Sequence, residues 1–110
     1  MLADRATRHL TAQHERLAGV LAAAKGDHDE AIDHFALGLA SARNLGVVPL
    51  YEAQILVDYA RSLVAQGRTE EARPLLAEAR VFYEGAGAVR VLERIAQLEA
   101  SVAGAELHAS

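Results

Sequence analysis

Apolar residues recur at helical spacing in five segments of the chain, and glycine-containing breaks separate most of these segments. The predicted helices cover about residues 3–24, 27–43, 50–66, 69–84 and 89–102. Gly26 and Gly67 stand where a helix commonly ends in the left-handed conformation. Asp27 followed by Glu30 has the form of a capping box, and Thr69 is the predicted cap of the fourth helix. The pattern predicts an all-α chain.

Each predicted helix carries one apolar stripe that we expect to face the core. These stripes are Leu10, Leu17 and Leu21 with Ala18 and Ala24 in the first helix; Ile32, Phe35, Leu39 and Ala42 in the second; Ile55 or Leu56, Tyr59 and Leu63 in the third; Leu75, Leu76, Ala79, Phe82 and Tyr83 in the fourth; and Leu92, Ile95, Leu98 and Val102 in the fifth.

The first two helices are repeated by the next two at a spacing of 41 residues, with the glycine turn and the small residues in register. Adding the same interval to Leu50 and Val57 gives Val91 and Leu98, so the fifth helix is predicted to open a third repeat, as a capping helix or a docking element. We therefore predict one domain over residues 1–103. Its repeats cover about 10–46 and 51–87, its terminal helix covers 89–103, and residues 104–110 form a frayed tail.

The repeated positions resemble the tetratricopeptide-repeat family, in which small residues and an aromatic hold two helices together. The resemblance implies a right-handed stack of two helical hairpins plus a terminal capping helix. The unit of 41 residues is longer than the standard unit of about 34. In the second unit, Leu76 replaces the aromatic. The residues that carry the resemblance are Ala18, Gly19, Gly26, Ala31, Phe35 and Gly38, then Tyr59, Ala60, Gly67, Ala72, Leu76 and Ala79.

Residues 67–76 (Gly-Arg-Thr-Glu-Glu-Ala-Arg-Pro-Leu-Leu) are similar to the long repeats of large bacterial ATP-dependent transcriptional regulators. That resemblance implies a non-catalytic protein–protein interaction scaffold, as the sensing or assembly part of a bacterial signalling or regulatory protein. The partner is then another protein or a neighbouring domain of a longer chain. Two alternatives stay open: a regulatory domain that binds a small ligand in the groove around Arg16, Tyr59 and Arg61, and a homo-oligomeric structural module.

In this family the first helices of successive repeats line a concave groove, which locates the expected partner-binding residues. Arg16 and Arg61 are predicted to converge on one carboxylate or phosphate, because guanidinium is a bidentate donor. The alternative is that both arginines are ordinary solvated residues. The groove residues implied by position are Gln13, Arg16, Val20, Ala23, Gln54, Val57, Arg61 and Val64.

Composition and charge narrow the function further. The net charge of −4 gives no electrostatic footprint for nucleic acid. The absence of cysteine excludes disulfides and thiolate metal sites. Early charges and the lack of a long apolar run predict a protein without a signal peptide or membrane span, hence a cytoplasmic location.

Candidate chemistry is sparse. Glu30 and His34 lie one helical turn apart, the spacing of a metal-ligand pair, but two ligands do not complete a tetrahedral site. No phosphate loop or nucleophile elbow occurs in the sequence. We therefore expect no enzymatic activity, no metal and no cofactor.

Two and a half repeats leave apolar positions of the first and fifth helices without a predicted neighbour. A two-fold homodimer built mainly on the fifth helix or on the first would cover them. The fifth-helix residues expected to form this dimer contact, or to cap the stack, are Leu92, Ile95, Leu98 and Val102.

Overall fold

The computed structural model describes residues 2–45 and 49–109, with side chains at 10–43, 50 and 52–104. Every element in these ranges is an α-helix. They are α1 (Leu2–Ala24), α2 (His28–Leu45), α3 (Pro49–Ala65), α4 (Thr69–Ala86) and α5 (Val89–Ala109). The helices pack mainly on their neighbours in sequence, which gives an elongated body with extents of 50 × 31 × 20 Å. The predicted all-α repeat stack is confirmed.

The predicted helix boundaries agree with the structure within a few residues, except at the last helix. We expected α5 to end near Val102, whereas it continues to Ala109. Gly104 does not break the helix because good helix formers follow it. Fraying of these last residues and the domain limits stay predictions. The repeat end predicted at Gly46 lies outside the described residues.

The two hairpins turn through the same backbone geometry. Gly26 and Gly67 have φ of 85° and 75°, the left-handed region that suits glycine. The amide of Asp27 donates to the carbonyl of Ala22 at 2.9 Å, and the amide of Arg68 donates to Leu63 at 2.8 Å. These bonds satisfy carbonyls at the helix ends, so a short loop reverses the chain in both units.

The caps of the second helices differ between the units. The amide of Glu30 donates to Asp27 Oδ1 at 3.1 Å, which confirms Asp27 as a capping residue. The predicted cap at Thr69 is wrong. Arg68 occupies the position equivalent to Asp27, makes no side-chain cap bond, and leaves Thr69 as the first helical residue.

The core follows the predicted stripes of α2, α3 and α4. Phe35, Leu63 and Leu76 are almost fully buried, and Ile55 and Leu56 both belong to the core. Tyr59, Leu75 and Phe82 pack at its margin. At the surface, Arg43 of α2 donates to Glu52 of α3 at 3.0 Å and to Glu78 of α4 at 2.6 Å. One guanidinium therefore joins both hairpins.

The predicted core face of α1 is wrong. Leu10, Leu17 and Leu21 are 67%, 56% and 61% exposed. The buried face consists of Ala12, Gly19 and Ala22, because α2 approaches too closely for larger side chains. A Cβ atom added to Gly19 would lie 2.5 Å from the Phe35 ring, which shows how close the helices are.

Helix α5 begins at Val89, 40 residues after α3 begins at Pro49, and not at the predicted interval of 41. Val102 of α5 is 4% exposed. Ile95 is fully buried, whereas Ala96 and Ala103 are exposed. The first residues of α2 and α4, His28 and Thr69, are 41 residues apart, so the interval shortens only at α5. Ile95 and Val102 therefore cap the stack and are not available to a dimer partner.

Candidate partner-binding groove

Two adjoining cavities lie along one side of the stack, where the first helices of the units meet. The first holds about 250 Å³ and is bordered by Val20, Ala23 and Arg61 together with residues of α2 and α3. The second holds about 510 Å³ and is lined by Arg61, Arg94, Gln97, Leu98 and Ser101. Arg61 borders both cavities, and together their lining residues include α1, α3 and α5; we call the pair of cavities the groove.

Arg16 is not available in the groove as predicted. Its Nε donates to Asp58 Oδ2 at 3.1 Å, and the two side chains are only 27% and 14% exposed. The partly shielded pair joins α1 to α3 and neutralises the guanidinium. Arg16 borders neither of the two cavities that Arg61 borders, so its convergence with Arg61 on one anion stays a prediction.

Arg61 has a different neighbour, Arg94 of α5, across the larger cavity. Both side chains are exposed, and neither forms an ion pair with another residue that the structure describes. Gln97 and Ser101 add polar groups to the same cavity wall. Two guanidinium groups facing one cavity suit a carboxylate or phosphate, which arginine binds through paired hydrogen bonds.

The remaining predicted groove residues divide into three groups. Val20 and Ala23 border the smaller cavity as expected. Val57 is 4% exposed and belongs to the core, because α3 is covered on that side too. Gln13, Gln54 and Val64 are partly exposed but border neither of these two cavities.

Sequence reasoning missed Arg94 as a groove residue. Arg94 is exposed on α5 and lies one residue before Ile95, which was predicted to cap the stack or form a dimer contact. Arg94 lies 33 residues from Arg61 in the sequence, and only the packing of α5 brings both to one cavity.

The smaller cavity has an aromatic and hydrogen-bonded wall. Phe35 borders this cavity, and its ring stacks on that of Tyr59, which lies outside the lining, with centroids 6.4 Å apart. His28 Nδ1 and Ser62 Oγ share a hydrogen bond of 3.3 Å. Ser62 borders this cavity but is only 1% exposed, and its hydroxyl is engaged with His28 between α2 and α3.

Tyr83, in the last turn of α4, has a raised pKa. Burial raises the pKa of Tyr83, and the negative charge of Asp58 raises it further. The positive charges of Arg16 and Arg94 oppose this rise.

The candidate metal pair is engaged in ion pairs. His34 Nδ1 lies 2.6 Å from Glu15 Oε2, and its Nε2 lies 3.5 Å from Glu30 Oε1. The bond to Glu15 raises the pKa of His34, which favours an imidazolium that cannot coordinate a cation. Within the described part of the chain, no three histidine, aspartate or glutamate side chains are grouped to hold a metal.

Comparison with known proteins identifies a repeat family over the first four helices. A family model described as "Tetratricopeptide repeat" matches residues 8–85, which takes in most of α1 and all of α2 and α3, and ends in the last turn of α4. No curated protein and no solved structure matches the chain. Of the helices described, none combines the length and the apolar character needed to cross a membrane.

Proposed function

The chain belongs to the tetratricopeptide-repeat family, and from this premise we propose that it is a non-catalytic scaffold whose groove binds an acidic segment of a protein partner. The family is a protein-interaction fold in general. The observation that carries the more specific proposal is the pair Arg61 and Arg94 on one cavity.

The shape of the groove favours an extended peptide over a compact ligand. Its two parts of about 250 and 510 Å³ run past three helices. The part bordered by Val20, Ala23 and Phe35 suits an apolar side chain, while the part beside Arg61 and Arg94 suits a carboxylate. A partner segment with an acidic residue near an apolar one matches this order of chemistry.

The setting that we propose is a bacterial, cytoplasmic signalling or transcription-regulatory system. Support comes from residues 67–76, which are similar to the repeats of large bacterial regulators. In that setting the groove senses a partner or joins a neighbouring domain. The reading frame of the gene on both sides of these residues tests this: adjoining nucleotide-binding or DNA-binding domains would support it.

A small regulatory ligand is the second candidate for the groove. The smaller cavity does not suit such a ligand, because its volume of about 250 Å³ is below the usual size of a ligand pocket. The cavity beside Arg61 and Arg94 is large enough, but it is an open cavity with a largely polar lining between α3 and α5. A peptide that follows the groove uses both parts, which is why we place it first.

Fluorescence polarisation with labelled octapeptides tests the groove. The probe contains two glutamates and two leucines, and a matched peptide carries glutamine in place of glutamate. We expect binding of the acidic probe in the micromolar range, weakened by added salt because the contact is ionic. Arg61→Glu and Arg94→Glu should each weaken it at least tenfold.

Lys25→Glu is the matched control, because it makes the same charge change at an exposed turn that borders neither cavity of the groove. This variant should bind the acidic probe almost as the parent does. Equal binding of the glutamate and glutamine peptides would contradict the proposal. So would equal losses in Lys25→Glu and Arg61→Glu, since these would reflect net charge alone.

A further inference from the structure

One long apolar face of the stack has no covering helix in the described part of the chain. It is the α1 seam, which we define as Leu10, His14, Leu17 and Leu21. All four side chains are exposed, and the leucines show more than half of their surface. Monomeric proteins seldom expose contiguous apolar patches of more than a few hundred Å².

The spacing of the α1 seam is that of a coiled-coil contact. Its residues follow one another at intervals of four, three and four, which are the alternating intervals of core positions in a heptad. A helix with this pattern fits another helix of the same pattern, knob into hole. The same seam therefore matches a second copy of itself.

Charge around the α1 seam also fits a second copy. The residues that flank it are Thr11, Gln13, Ala18 and Val20, none of which is charged. Glu15 and Arg16, which adjoin the seam in sequence, are paired with His34 and Asp58 of the same chain. Lys25 is exposed one helical turn after Leu21, and in an antiparallel pair the two Lys25 side chains lie at opposite ends of the contact. Two seams can meet without placing like charges at their edges, which is the usual bar to pairing identical helices.

We infer that α1 mediates an antiparallel, two-fold homodimer through the α1 seam. In this arrangement Leu10 packs against Leu21 of the second copy, and His14 packs against Leu17. The helix dipoles then oppose each other, and the contact is closed, so it does not propagate. The four seam residues border neither groove cavity, and of the residues that flank the seam, Val20 borders the smaller cavity. Variants at the seam positions and at Arg61 or Arg94 therefore test the dimer and the groove separately.

The size of the α1 seam sets the strength of the contact. Residues 10–24 span about 21 Å of helix, which buries less than the roughly 1,200 Å² of a standard interface. The dimer is therefore a weak one that forms and dissociates with concentration. Because each copy carries a net charge of −4, salt should strengthen it by screening repulsion.

Sedimentation equilibrium from about 10 µM to about 1 mM tests the dimer. Leu17→Glu should leave a monomer of 11.7 kDa at every concentration. His14→Leu completes the leucine seam and should lower the dissociation constant at least tenfold. Leu37→Glu is the matched control, because Leu37 is a leucine of similar exposure on α2, 59% against 56%, and it should dimerise like the parent.

Introduced cysteines test the direction of pairing, since the chain has none of its own. Mixing Leu10→Cys with Leu21→Cys should give a disulfide-linked heterodimer, and each variant alone should not cross-link. Efficient cross-linking of each variant with itself would overturn the antiparallel arrangement. A monomer at 1 mM, in the parent and in His14→Leu alike, would overturn the dimer. So would a dimer that Leu17→Glu leaves intact, because its contact would lie elsewhere.

The acidic octapeptide separates this inference from the groove proposal. Leu17→Glu should still bind the peptide, and Arg61→Glu should still dimerise. A dimer without peptide binding would refute only the groove, whereas peptide binding by a strict monomer would refute only the α1 seam.

Discussion

The two hairpins place residues of different size at the same helix contact. In the first, Phe35 of α2 packs against Gly19 of α1; in the second, the equivalent positions hold Leu76 and Ala60. All four residues are buried. The larger ring is matched by the smaller residue, so a change in size on one helix is offset by the opposite change on its partner. The repeat conserves the volume of the pair, and not each residue.

A second pair extends this difference. Gly38 on α2 is equivalent to Ala79 on α4. A Cβ atom added to Gly38 would lie 3.3 Å from the Glu15 Cβ and 3.4 Å from the Ala12 carbonyl oxygen. Helices α1 and α2 also contact each other more extensively than α3 and α4 do. The first hairpin is therefore the more closely packed and should tolerate added volume less.

Loss of the large core residue should have the largest effect. Phe35→Ala is expected to lower the free energy of unfolding by about 3–5 kcal/mol, and Leu76→Ala by about 2–4 kcal/mol. The aromatic costs more because Gly19 has no side chain to fill the cavity. Urea unfolding of both variants measures the difference. A larger loss from Leu76→Ala would contradict the tighter packing of the first hairpin.

Added volume at the small helix-crossing residues should cost less. Ala31 and Ala72 are equivalent and fully buried. A leucine at either site should overpack the crossing and lower the free energy of unfolding by about 1–3 kcal/mol. The loss should be greater for Ala31→Leu. An unchanged thermal midpoint in Ala72→Leu would show that the repeat register is wrong.

Exchange of the matched pair gives the sharpest test of volume compensation. Gly19→Ala should lower the free energy of unfolding by a net of about 1–2 kcal/mol, because the clash with Phe35 outweighs the better helix propensity of alanine. Adding Phe35→Leu recreates the pair of the second hairpin. The double variant should then be more stable than the two single losses predict. Strict additivity in a double-mutant cycle would refute the compensation.

Changes at the helix caps should have smaller effects on stability, and the two caps should respond in opposite directions. Asp27→Ala should destabilise the protein by about 1 kcal/mol, because the Glu30 amide loses its acceptor. Arg68→Asp installs the missing cap on α4 and should raise the thermal midpoint, although it removes the surface pair with Glu71. A fall in the midpoint of Arg68→Asp would show that this pair matters more than the cap.

The smallest expected effect depends on pH and is confined to the first hairpin. The bond to Glu15 raises the pKa of His34 in the folded state, so folding favours the protonated form. This stabilisation is complete below the ordinary pKa of 6.5 and is lost as the pH rises through the raised value. His34→Gln should therefore cost stability at about pH 5.5 but hardly at about pH 9. The difference should be under about 1 kcal/mol, because the pair is partly exposed.

Local signals in the sequence were sufficient for the turns, the repeat and the core faces of α2 to α4. They failed on α1, because the leucine stripe is more hydrophobic than the stripe of Ala12, Gly19 and Ala22 that is buried. Periodicity identifies stripes, but how closely the next helix approaches decides which one is covered. The sequence did not reveal the ion pair of Arg16 for a related reason. Asp58 lies 42 residues from Arg16, and only packing brings the two side chains together.

Arg43 has a consequence for how the protein opens. A stack whose helices contact mainly their neighbours behaves like a row of coupled units, in which the ends can open while the middle stays closed. Arg43 bonds to Glu52 and Glu78 across the boundary between the hairpins. Opening of either hairpin breaks these bonds. While one hairpin stays closed, the bonds therefore raise the free energy needed to open the other. Amide hydrogens at the junction of α2, α3 and α4 should therefore exchange later than those near the outer ends of α1 and α5.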